Sequence, residues 1–178
     1  MTNYVVGHES RVGKVGDDRL AFPPNHIEAD HHLAFYLGRL DEKYGDEAYY
    51  VHLTRDLAAT ADSWAERFVI SPMISSYRRG MIGSEAVPRR EAAVEMVETA
   101  TANIRHFLKD KTRVAHVRLE HAEEDFPAFW RLVGADGSLD DALAEWHARH
   151  NEGTWRPSFW MGLRHMAQRA VRAAMPPR

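Results

Sequence analysis

The sequence predicts an α/β fold: a small parallel sheet flanked by helices, with a helix-rich C-terminal half. Three observations carry this. Strand-like and helix-like segments alternate along the chain in the order β, loop, α, β, α, α, β and then helices, the pattern of a layered α/β unit. The run Ala48-Tyr49-Tyr50-Val51-His52-Leu53 is almost continuously apolar or aromatic, as in a parallel strand covered on both faces. The 178 residues, 44% apolar, suffice for one domain with a core, taken as residues 1–178.

Element by element, Tyr4-Val5-Val6 is β-prone and stops at Gly7. Residues 12–25 read as loop, because Gly13, Gly16, Asp17, Asp18 and Pro23-Pro24 all interrupt regular structure. A helix is expected over 31–44, with Leu33, Leu37 and Leu40 on one stripe and Gly45 as its stop. After the 48–53 strand, Leu57, Ala61, Trp64 and Phe68 recur at helical spacing and predict a helix over 57–69. Residues 70–88, with Pro72, Gly80, Gly83 and Pro88, read as irregular. A long helix follows over 89–109, with Ala93, Met96, Val97, Ala100, Ile104 and Leu108 inward. Val114 to Leu119 alternates as a strand. Short helices at 124–133 and 139–150 flank a Gly134/Gly137 turn, and a last helix is expected at 158–173.

Composition narrows the function classes. The formal charge is −3, which excludes general electrostatic binding of nucleic acid or an anionic membrane. The chain has no cysteine, which removes disulfides, thiolate metal ligation and thiol catalysis and fits a reducing cytosol. No apolar run approaches the roughly 20 residues of a membrane span, and Met1 leads into no signal-peptide core. A cytoplasmic protein is therefore expected. Of the 23 basic residues, 19 are Arg; Arg offers a planar fork suited to phosphate, sulfate and carboxylate, although a GC-rich genome explains most of the excess.

Parallel α/β sheets bind ligands at the carboxyl ends of their strands, so chemistry is sought just after Leu53 and Leu119. The stretch Tyr50-Val51-His52-Leu53-Thr54-Arg55-Asp56-Leu57 ends a strand in Arg-Asp and starts a helix at once, with Ser63 eight residues beyond Arg55. An Arg at that position can meet a phosphate together with helix N-terminal N–H groups. Eight helical residues rise about 12 Å, so Arg55 must fold back to share a ligand with Ser63. The competing reading is structural: Asp56 caps the helix while Arg55 pairs with a carboxylate.

This stretch resembles the sulfotransferases that use 3′-phosphoadenosine-5′-phosphosulfate, in which an Arg at a strand end and a Ser eight residues later grip the 3′-phosphate. Arg55 and Ser63 fall on those positions. Val117-Arg118-Leu119-Glu120-His121, with Asp125-Phe126-Pro127-Ala128-Phe129-Trp130 and Val133-Gly134, is similar to the family's later strand–acidic–helix–Gly segment. The likeness spans roughly residues 4–150. It implies a P-loop sulfotransferase-like fold, a cofactor bound through Arg55 and Ser63, and a small-molecule or glycan acceptor bearing a hydroxyl or amine. It also implies a Gly/Ser/Thr-rich P-loop before the first strand, of which Gly13-Lys14-Val15-Gly16 is only an echo. The expectation is thus the fold without its opening strand, P-loop and first helix, either through a start codon assigned too late or as a natural remnant. A remnant of this kind would act as a binding module, and a homodimer would cover its open sheet edge.

His26-Ile27-Glu28-Ala29-Asp30-His31-His32 places five ionisable side chains in seven positions. The resemblance implies a general base about here, and a base of near-neutral pKa is what deprotonation of an acceptor needs. If residues 26–30 are extended, His26, Glu28 and Asp30 share one face. His26 and Glu28 are the first candidates for catalysis, then His31 and Asp30. The alternative is a polar helix start, with Asp30 capping and the histidines solvated. A metal site is not assigned: Glu28-Ala29-Asp30-His31 is one Glu-x-x-His match where a di-iron bundle needs two. A mononuclear His/carboxylate centre stays open. Gly7-His8-Glu9-Ser10-Arg11 is a candidate substrate contact, and Arg78-Arg79 a candidate anion-facing lid or a solvated loop. The aromatic and Arg-rich C-terminal helix could pack on the domain, a second protomer or a partner.

Overall fold

In the computed structural model, residues 1–66 and 72–147 are described. Two short strands open the chain: β1 (Val5–His8) and β2 (His26–Ala29), paired in parallel with Gly7 opposite Glu28 and His8 opposite Ala29. Between them runs the expected loop, holding one 3-10 turn, Gly16–Leu20. A second parallel pair joins β3 (Tyr50–Thr54) to β4 (Val114–Arg118), with His52 opposite His116. Among the described residues the parallel β-structure is therefore two two-stranded sheets, where one small sheet was expected.

Six α-helices accompany them among the described residues: α1 (Leu37–Tyr44), α2 (Leu57–Glu66), α3 (Met73–Tyr77), α4 (Arg89–Leu108), α5 (Ala122–Leu132) and α6 (Leu139–His147). The chain is mixed α/β, and Met1–Trp146 forms one compact unit. None of the described helices is long and apolar enough to cross a membrane. The helix expected at 158–173 lies outside the described residues.

Three local expectations are corrected. The helix over 31–44 is broken: a 3-10 turn, His31–Phe35, precedes α1. Asp30 caps that turn by accepting from the His32 N–H at 2.8 Å, which restarts the backbone before the leucine stripe begins. Of the segment 70–88, the described residues 72–88 are more regular than their Pro and Gly content suggests. Pro72 sits at the N-cap of α3, where its missing N–H costs nothing, and α3 runs into a π-helical turn, Arg78–Ile82, closed by Gly83 at φ 77°. Ile74 from this segment is 1% exposed against Ala61, Ala92, Ala93 and Met96 of α2 and α4, so tertiary packing decides its conformation.

The third correction concerns β3, which is covered on one face only. His52 is buried, while Val51 and Leu53 are 42% and 56% exposed. Parallel register puts Val51 and Leu53 beside Ala115 and Val117 of β4. Those two are buried in a core with Phe126, Phe129 and Trp130 of α5 and Val133. Helix α5 lies over β4 and leaves the same face of β3 open. Tyr4 and Ile27 pack on that core as well, which joins the first sheet to the helix that supports the second. Hydrogen bonds from Tyr4 Oη to Val133 O, 2.5 Å, and from Asn3 Nδ2 to Gly134 O, 2.9 Å, fix the start of the chain there.

Candidate functional site

The residues 26–30 are extended, as β2 plus Asp30, and alternation turns His26 and Glu28 to one face. They form an ion-pair contact, His26 Nε2 to Glu28 Oε2 at 2.7 Å, with side chains only 7% and 5% exposed. Gly7 on β1 makes room for it. A Cβ there would lie 2.5 Å from Glu28 Oε2 and 2.9 Å from the His26 ring.

Glu28 also accepts from the Ser10 N–H at 2.6 Å and the Ser10 hydroxyl at 2.5 Å. Burial pushes its carboxyl upward, but the Ser10 and His26 hydrogen bonds outweigh that and hold it below its ordinary value. Glu28 is thus an ionised acceptor with its oxygens engaged. His26 stacks on Phe22, with ring centroids 5.5 Å apart, and its Nδ1 is buried without a hydrogen-bond partner among the described residues. Ser10 serves the carboxylate rather than an imidazole, so it is not an activated nucleophile.

One step further along, Asp30 is buried and salt-bridged at 2.5 Å by Arg19, whose side chain is 4% exposed. His32 Nδ1 reaches the other carboxylate oxygen at 2.7 Å. Burial raises the Asp30 pKa, but the Arg19 and His32 contacts outweigh it and leave it depressed. Beside them, His31 Nδ1 lies 3.0 Å from Glu9 Oε1. His31 also meets the edge of Trp64 at 5.1 Å between ring centroids, which sets the cluster against α2. Asp30 does cap the following turn, but the histidines are not all solvated: His26 is buried, and only His31 and His32 are partly open.

Arg55 follows β3 and is exposed. The Asp56 N–H chiefly holds the Glu120 carboxyl below its ordinary value, with the Arg55 charge as a minor addition; Arg55 makes no hydrogen bond or ion pair with a described residue. Asp56 caps α2 by accepting from the Ala59 N–H at 2.8 Å, and its own N–H donates to Glu120 at 2.9 Å. The helix start therefore already faces two carboxylates. Ser63 is half-buried on α2, next to Trp64. The structure thus joins His26 to Glu28, and no hydrogen bond joins Arg55 to Ser63. A groove of about 550 Å³ between α1 and the end of α4, lined by Phe35, Asp41, His106 and Lys111 among others, includes none of the four.

Sequence reasoning missed Arg19, whose burial carries no pattern signal inside a Gly/Asp-rich loop, and Gly7 as the cradle of the pair. The alternation His26/Glu28 against Ile27/Ala29 was the available sign of β2, but four residues are a short run. Comparison with protein-family models, with curated proteins and with solved structures returns no match to this chain.

Proposed function

We propose that the chain is a sulfotransferase-like α/β domain that binds 3′-phosphoadenosine-5′-phosphosulfate and serves sulfuryl transfer to a hydroxyl or amine of a small molecule or glycan. The observation that carries this reading is Arg55: an exposed guanidinium with no ion-pair partner among the described residues, at the carboxyl end of a parallel strand, where ligands of α/β sheets bind. Ser63 on the following helix supplies a neutral donor for the same 3′-phosphate. The helix N-terminus adds little, because Asp56 and Glu120 occupy it.

The bound nucleotide supplies an activated sulfuryl group. The chain's own part in the chemistry falls to His26. With its Nε2–H donated to Glu28, the imidazole keeps Nδ1 as its acceptor nitrogen; this nitrogen would take the proton that the acceptor hydroxyl loses as its oxygen bonds to sulfur and the bond from sulfur to the 5′-phosphate breaks, releasing adenosine 3′,5′-bisphosphate. Glu28 orients the ring and stabilises the imidazolium. A second reading, a binding module without catalysis, is favoured by one observation: His26 Nδ1 is buried, so an acceptor reaches it only if the Phe22 side moves.

Calorimetry with adenosine 3′,5′-bisphosphate tests the reading. Wild type is expected to bind, Arg55→Ala to weaken binding at least tenfold, as loss of a charged phosphate contact should, and Ser63→Ala by a smaller factor. No binding by wild type overturns the proposal. Binding without sulfuryl transfer to any acceptor, unchanged in His26→Gln, selects the binding module.

A further inference from the structure

The carboxyl ends of β1 and β2 bring together a second set of side chains. Parallel pairing places His8 opposite Ala29, so the next residues, Glu9 and Asp30, end side by side. The Glu9 N–H closes the ladder on Ala29 O at 3.0 Å. The capped turn then delivers His31 and His32 to the same point, with ring centroids 3.9 Å apart. One ligand atom from each of Glu9, Asp30, His31 and His32 lies within 4.8 Å of the other three.

From this convergence we infer that Glu9, Asp30, His31 and His32 form a binding site for a zinc-class divalent transition-metal ion. The donor set is two imidazole nitrogens and two carboxylate oxygens, which suits zinc and its borderline neighbours rather than magnesium or calcium, whose shells are oxygen. Tetrahedral bonds of about 2.0–2.2 Å put ligand atoms about 3.4 Å apart, so side-chain rotations of about an ångström close the shell. His31–Glu9 at 3.0 Å and His32–Asp30 at 2.7 Å are already within that spacing.

The surroundings fit the same assignment. Arg19 holds Asp30 Oδ2, leaving Oδ1 as the single ligand oxygen, the outer-partner arrangement that orients metal carboxylates. Two carboxylates against one guanidinium leave a net negative site for a dication. Glu9, His31 and His32 are about one-third to two-fifths exposed, so an ion has a path in from one side. The site tethers the ends of two strands that lie far from each other in sequence, and its occupation should stabilise the first sheet.

The full chain, stripped with a chelator and dialysed, is titrated with Zn²⁺ by calorimetry and with Co²⁺ by visible absorption. The expected result is one ion per chain, intense d–d bands of four-coordinate cobalt, a raised Tm, and no response to Mg²⁺. His31→Ala and Glu9→Gln, both at partly open positions, are each expected to weaken binding at least tenfold while retaining the far-UV spectrum. Should His31→Ala fail to fold, Glu9→Gln alone decides. Absence of stoichiometric binding overturns the assignment, and so does binding that both variants leave unchanged. Neither readout involves the nucleotide, so failure here and failure of the sulfotransferase reading are separate results.

Discussion

The two parallel sheets share a topology and differ in what they do with charge. At the ends of β1 and β2 the ionisable groups turn inward on one another: Arg19 with Asp30, His26 with Glu28, and His32 with Asp30. At the ends of β3 and β4 the charges face water. Arg118 forks onto Asp125 at 2.8 Å from both Nε and Nη2, yet its side chain is 51% exposed, and Arg55 beside it pairs with none of the described residues. The first sheet is short, with apolar Val5 and Val6 each 64% exposed, and a buried polar network supports its ends. The second is held by the α5 core, and at its strand ends Arg118 and Asp56 have structural partners while Arg55 has none among the described residues. A side chain without a structural partner can meet a ligand at no cost to the fold, which is why the anion contact is sought at Arg55 and not at Arg19.

The largest expected effect tests whether the inward charges are structural. Arg19→Ala leaves a fully buried carboxylate with only His32 to answer it, and breaking a buried ion pair costs about 3–5 kcal/mol. Urea denaturation should register that loss, whereas Arg118→Ala, on a pair whose Arg is 51% exposed, should cost no more than about 1 kcal/mol. Arg19→Met combined with Asp30→Leu sharpens the point. It should recover most of the loss and fall short by about 1 kcal/mol, because Asp30 also caps the turn. Equal losses at Arg19 and Arg118 would erase the contrast between the sheets.

Next in size is Gly7→Ala. The added methyl group meets Glu28 and His26 side chains that burial and three hydrogen bonds hold in place. Overpacking of this kind costs about 1–3 kcal/mol. Gly38→Ala in α1, where a Cβ meets nothing within 4 Å, should be neutral or stabilising. A tolerated Gly7→Ala with His26 NMR shifts unchanged would mean that the pair is looser than its 2.7 Å contact implies.

How much of this was readable beforehand follows the physics of each feature. Long amphipathic stripes gave α4 nearly to the residue, and the Gly134/Gly137 turn gave the break between α5 and α6, because periodicity and glycine act locally. The burial of β3 was misread since an apolar run says that a strand can be covered, not that a helix covers it. The His26–Glu28 contact was legible conditionally, through shared facing in an extended segment. Arg19 was not legible at all: its burial depends on Asp30 and on Tyr36, whose ring centroid lies 5.2 Å from the guanidinium carbon, and no local pattern encodes such a meeting. The parallel pairing that joins Glu9 to Asp30 is likewise a property of the register.

The smallest effect separates the sheets by pH. On the first, Glu28 and Asp30 have depressed pKa values, so their contribution is present above the unfolded carboxylate value of about 4 and is lost only as pH falls through the lower folded value. On the second, the buried titratable side chain is His52. Burial, then His116 and Arg105, lowers its pKa. A histidine shifted down stabilises the fold above the unfolded value of about 6.5 and loses that contribution as pH falls. Acid should therefore weaken the protein through His52 on β3 before it reaches the Glu28 and Asp30 carboxylates of the first sheet. His31 shifts the same way, through burial and then His32, so the discriminating variant is His52→Leu. Urea unfolding at pH 7.5 and 5.5 should show a smaller difference for His52→Leu than for wild type, with the remainder assigned to His31. A wild-type stability that is flat across this interval would mean that His52 is solvated like its neighbour His116, and the second sheet would then have no buried titratable group to set against the first.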